Sequence, residues 1–114
     1  MKIIIRDMAH NSIDDIFEYL CIFSTNNALE TVNKIYKYIY SLENSPYIGR
    51  HIPQIEDKHF RELICKKNKN STYKIMYYIS ENTRTIHVIY IFDCKQDFNR
   101  ILKTNNYFKN FLNF

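Results

Sequence analysis

The chain has one glycine, Gly49, and it sits in Leu42-Glu43-Asn44-Ser45-Pro46-Tyr47-Ile48-Gly49-Arg50. The residues before it fix what that glycine must do. Ala28, Val32, Ile35, Ile39 and Leu42 recur at helical spacing, the apolar seam of a long helix packed on another element. Pro46 and Gly49 end this helix and open a loop to residue 58. Gly49 is expected to supply a positive φ just past the helix. Arg50 is expected to lock the loop onto the rest of the fold.

The other elements fall on either side of that joint. Lys2 to Arg6 reads as a short buried strand. Ser12 offers an N-cap with Asp15 three residues on, and Ile13, Ile16, Phe17 and Leu20 form one helical stripe. After a break at Ser24-Thr25-Asn26-Asn27, Asn27 and Glu30 repeat the capping pattern. So short a connection predicts an antiparallel helix hairpin. Lys34 and Lys37 are expected to face water. Beyond the loop, Phe60–Lys66 and Tyr73–Ser80 alternate, and Ile86–Phe92 is β-branched and aromatic, which suits a central strand. Asp97 caps a last helix carrying Phe98, Ile101 and Leu102. Residues 105–114 form an aromatic C-terminal extension with Tyr107, Phe108, Phe111 and Phe114. The 114 residues read as a single domain, since a chain of this length buries roughly 65% of its unfolded surface.

Composition narrows the classes of function. Net charge is +4, which permits an anionic partner without requiring one. Cys21, Cys65 and Cys94 are odd in number and widely spaced, so they read as free thiols of a reducing cytoplasm. His10, His51, His59 and His87 show no metal-ligand spacing, and neither metal nor cofactor is expected. No apolar run approaches the roughly 20 residues of a membrane span, and the N-terminus lacks the apolar length of an export signal.

Four landmarks occur in a fixed order: the Pro46–Gly49 joint, Arg61-Glu62-Leu63, Tyr73-Lys74-Ile75-Met76-Tyr77, and Ile91-Phe92-Asp93-Cys94-Lys95-Gln96-Asp97. Together they resemble the RelE/ParE superfamily of toxins from bacterial type II toxin–antitoxin pairs, the plasmid stabilisation proteins. The resemblance runs from about Ile3 to Leu102. It implies an α+β fold: N-terminal strand, antiparallel helix hairpin, three antiparallel strands in a curved sheet, and a C-terminal helix. It also implies growth arrest in the cytoplasm and a cognate antitoxin, docked as a helix against the hairpin groove or as a strand at a sheet edge.

The target divides the family. The ParE-like branch implies poisoning of DNA gyrase by binding. The RelE-like branch implies ribosome-dependent cleavage of mRNA. A third reading is a module that engages its antitoxin without toxicity. The long hairpin favours the first, and the basic loop and Lys74 slightly favour the second.

In the nuclease branch, a basic residue at the position resembling Lys74 contacts the scissile phosphate, with Arg61 a second candidate. Arginine would bind the phosphate bidentately and lysine as a point charge. Attack by a 2′-hydroxyl also needs a base and an acid. Asp93 stands where many nuclease relatives carry histidine. An ordinary aspartate is a base rather than an acid at neutral pH, which leaves Tyr78 and Lys95 as acid candidates. Arg61, Lys74, Asp93 and Lys95 are therefore the catalytic set, should the chain be a nuclease. Lys66, Lys67 and Lys69, on the tip between two strands, are candidates for gripping nucleic-acid phosphates. A charged tip equally serves as a soluble one.

Overall fold

The computed structural model describes residues 1–95. The expected C-terminal helix and the aromatic extension lie outside them. Within the described residues the order is β1 (Lys2–Ile5), α1 (Asp7–Cys21), α2 (Thr25–Ser41), β2 (Arg50–His51), β3 (Phe60–Asn68), β4 (Ser71–Ser80) and β5 (Thr85–Asp93). One sheet contains all five strands in the order β1-β5-β4-β3-β2. β1 runs parallel to β5, and the other neighbours are antiparallel. This is the expected α+β arrangement, with β4 at the centre and β5 beside it. The two-residue β2 is an addition, too short for alternation to reveal.

The hairpin packs on one face of the sheet. Ala9 and Ile13 of α1 and Ile35 and Ile39 of α2 are buried together with Tyr73, Ile75, Tyr77 and Ile79 of β4 and Ile86, Val88 and Ile91 of β5. Each buried isoleucine contributes about 1.5–3 kcal/mol, so this layer holds the hairpin in place. The other face carries a second cluster: Phe60, Met76, Ile89 and Phe92, with Ile52 of the loop after β2 laid over them.

α1 begins earlier than its side chains suggest. Its N-cap is Arg6, which makes no side-chain capping bond, and Asp7 in the first turn favours the helix dipole. Ser12 lies inside the helix and is buried. Its Oγ donates to Ala9 O (2.8 Å) and accepts the Ile91 amide (3.1 Å). β1 covers β5 only from Thr85 to Val88. The Ser12 hydroxyl therefore occupies the place a strand would have taken further along that edge. α2 is likewise capped one turn earlier than expected, by Ser24, whose Oγ accepts the Asn27 amide at 3.2 Å.

β5 carries a bulge. Met76 faces Tyr90 while Tyr77 faces Val88, leaving Ile89 as the extra residue. The bulge places both Ile89 and Tyr90 against the second cluster. Among the described residues no helix is long and apolar enough to cross a membrane.

Candidate functional site

The face of the sheet away from the hairpin presents Lys74. It pairs with Ile64 of β3 and Phe92 of β5 and is half-buried between those rows. One step along, Glu62 faces both Met76 and Arg50. Arg50 Nε lies 2.7 Å from Glu62 Oε1, with the arginine side chain 63% exposed and the glutamate 6%. The pair is charge-assisted, and its buried carboxylate is stabilised by it. Arg50 thus holds the loop to β3 as expected. Cys94 lies close enough to this group to feel it. Although Cys94 is exposed, partial desolvation by its neighbours raises its thiol pKa, Lys74 and Arg50 pull it down, and Asp93 and Glu62 push it up.

The remaining candidates separate in space. Arg61 pairs with Tyr77, a residue of the hairpin-side core, so it projects from the face opposite Lys74. Its Nη1 donates to Gly49 O (2.8 Å) and to Tyr47 O (3.5 Å). Its guanidinium carbon stands 5.2 Å from the Tyr47 ring centroid. These contacts clamp the loop. Asp93 pairs with Tyr73 on the hairpin side and lines a cleft against α1 with Asp15 and Tyr19. Its Oδ1 accepts the Lys95 amide at 3.0 Å, the geometry of a turn residue. Lys95 is exposed.

The lysines of the β3–β4 tip also divide. Lys66 and Lys69 are exposed. Lys67 is only 12% exposed at its side chain. Its Nζ donates to Asn27 O (3.2 Å), to Thr31 Oγ1 (2.8 Å) and to Asn27 Oδ1. Lys67 pins the strand hairpin to the first turns of α2. Lys34, expected to face water, is half-buried, and its Nζ reaches Lys67 O at 3.5 Å.

Gly49 differs from its expected role. No glycine here has a positive φ. Gly49 is buried, and a Cβ on it would lie 2.5 Å from Tyr77 Oη and 2.8 Å from Glu62 O. The position needs glycine because Tyr77 and β3 press on it. Tyr77 Oη accepts the Gly49 amide (2.9 Å) and donates to Pro46 O (2.8 Å). Burial raises the Tyr77 pKa, partly offset by the Gly49 bond and Arg61, so the phenol stays protonated and able to donate.

The structure therefore brings Lys74, Arg50 and Glu62 to one face and leaves Arg61 and Asp93 on the other. Arg50 and Glu62 were not among the candidates for that face. Their link to Lys74 is set by strand register, which neighbouring sequence does not encode. Among the described residues no group of three or more His, Cys, Asp or Glu could hold a metal.

Comparison with known proteins agrees with this architecture. The family model described as "ParE toxin of type II toxin-antitoxin system, parDE" matches residues 3–98. The chain belongs to the ParE toxin family. A similar solved structure is that of a chromosomal ParDE TA system from P. aeruginosa, at 18% identity and a TM-score of 0.65, covering 82% of this chain and 95% of that one. At that identity the likeness is one of fold. No curated protein sequence gives a significant match.

Proposed function

We propose that this toxin arrests growth in the cytoplasm by binding DNA gyrase, and that a cognate antitoxin neutralises it. The observation that carries this reading is the division of Arg61, Lys74 and Asp93 between two faces of the sheet. Phosphodiester cleavage needs charge stabilisation and proton transfer at one point within hydrogen-bond reach. Arg61 is engaged with backbone carbonyls and Asp93 lies toward α1, so neither expected partner stands beside Lys74, and the Arg50 and Glu62 that share its face are bonded to each other. A toxin that acts by occupying its target needs no such constellation. Family membership and the ParDE-like fold support the antitoxin as partner, and the exposed Lys66 and Lys69 suit an acidic segment of it.

The test is a gyrase supercoiling assay with purified protein, run beside ribosomes translating a defined mRNA. Loss of supercoiling with intact mRNA supports the proposal. Cleaved mRNA with unaffected gyrase overturns it and gives Lys74 the leading role in the RelE-like alternative.

A further inference from the structure

The loop after α2 exposes two large apolar side chains, Tyr47 at 47% and Ile48 at 62%, and fixes the backbone that carries them. Tyr77 donates to Pro46 O and accepts the Gly49 amide, so the central strand holds the chain on both sides of the pair. The Ile48 amide donates to Ser45 O at 3.2 Å. Tyr47 is also held by its side chain. Its hydroxyl donates to Glu81 Oε1 at 2.5 Å, and its ring stands over the Arg61 guanidinium. Apolar groups presented on a fixed backbone lose little freedom on binding, and tyrosine and arginine are the residue types that most often anchor protein interfaces.

The turn between β4 and β5 meets this loop at Glu81. In that turn Arg84 has a φ of 50°, the left-handed region that glycine enters freely and a long side chain only at a cost. Strained residues of this kind cluster at functional sites. The Arg84 amide donates to Glu81 O (3.2 Å) and its carbonyl accepts the Lys2 amide (3.1 Å). A glycine would make both bonds, so the turn itself gives no reason for an arginine. Its side chain is exposed and forms no ion pair among the described residues. The Glu81 bond raises the Tyr47 phenol pKa while the charges of Arg61 and Arg84 pull against it, so Arg84 stands near the ring.

The carboxylates around this pair are already engaged. Glu62 is buried against Arg50. Glu81 accepts the Tyr47 hydroxyl and lies 3.8 Å from His59 Nε2, and Asp57 Oδ1 lies 2.8 Å from His59 Nδ1. Glu43 sits beside the Met1 amino group, which donates to its carbonyl at 2.9 Å. The charge left to face a partner is cationic. Resting on the gyrase reading, we propose that Tyr47, Ile48 and Arg84, with Arg50 at the rim, are the surface by which the toxin engages gyrase, and that they meet an acidic patch of that protein with an apolar seat for Ile48. A DNA duplex offers phosphates to the arginines but no such seat. The surface lies at the turn end of β5. That strand runs from Thr85 to Asp93, about 30 Å at the usual rise per residue, so Lys95 stands at the opposite end of the sheet.

The experiment is supercoiling by intact gyrase with the purified parent and three variants, each first shown to melt cooperatively. Ile48→Ser and Arg84→Gly are each expected to raise the concentration needed for inhibition about tenfold. Glycine suits the Arg84 backbone better than arginine does, so a loss in Arg84→Gly does not come from misfolding. Lys37→Ala, at an exposed cation of α2, is expected to match the parent. Added salt should weaken the parent more steeply than Arg84→Gly, which lacks the charge that meets the acidic patch. Parent-like inhibition by either Ile48→Ser or Arg84→Gly overturns the proposal and leaves the gyrase reading standing, as do equal salt slopes. A parent that fails to inhibit gyrase rejects that reading, and the docking surface with it. Binding of a bare DNA duplex that Arg84→Gly abolishes would mean the surface takes nucleic acid, which also overturns the proposal.

Discussion

The amide of Gly49 donates to Tyr77 Oη across 2.9 Å, and a Cβ on residue 49 would fall 2.5 Å from that same oxygen. The loop that leaves α2 is thereby fixed to the central strand from two directions. Tyr77 also holds Pro46 O, and Arg61 holds Gly49 O from the neighbouring strand. Gly49→Ala is expected to cost about 1–3 kcal/mol through overpacking. Tyr77→Phe is expected to cost a similar amount, because it leaves the buried Gly49 amide unpaired. Urea denaturation with an unchanged m-value measures both.

Ser12 bridges α1 to the end of the β5 edge that β1 does not pair with. Ser12→Ala leaves the Ile91 amide without its acceptor, at about 1–3 kcal/mol. Hydrogen exchange should show the Ile91 amide losing protection while amides at the β3–β4 pairing keep theirs. Unchanged protection at Ile91 contradicts this role.

The tip lysines should differ in their contribution to stability. Lys67→Ala removes donors to Asn27 and Thr31 and is expected to destabilise by about 1.5–3 kcal/mol, the range for bonds to a charged group. Lys66→Ala and Lys69→Ala, at exposed positions, should stay within about 0.5 kcal/mol of the parent. Parallel thermal melts of the three variants decide it.

Mild acid should weaken the fold through His87. Burial, reinforced by the Arg6 charge, holds its imidazole pKa below the ordinary value. As pH falls, the unfolded chain therefore takes up this proton before the folded one. Stability is intact above the unfolded imidazole value of about 6.5 and declines as pH drops below it. Urea midpoints measured through this range should show the decline in the parent protein, with a shallower slope in His87→Gln. A slope unchanged by the substitution rejects the assignment.

Sequence periodicity was a sound guide to the hairpin–sheet layer. Ala28, Ile35, Ile39 and Leu42 are buried as spaced, and alternation correctly put Tyr73, Ile75, Tyr77 and Ile79 on one side. What periodicity cannot carry is pairing between distant segments. Ser12 looks like an N-cap because its local pattern fits one, yet its acceptor role is filled by Ile91, 79 residues away. The demand for glycine at position 49 comes from Tyr77, also remote in sequence. Arg61 and Lys74 each looked suited to a phosphate. Only the register Arg61–Tyr77 and Ile64–Lys74 puts them on opposite faces.

The most direct test is tightly induced expression in a bacterium, with DNA and protein synthesis pulse-labelled together over the first minutes, in the parent and in Lys74→Ala at matched folded levels. A toxin that binds gyrase stops DNA synthesis first, and Lys74→Ala, lacking any catalytic role, remains toxic. Protein synthesis stopping first, with toxicity lost in Lys74→Ala, would contradict the account.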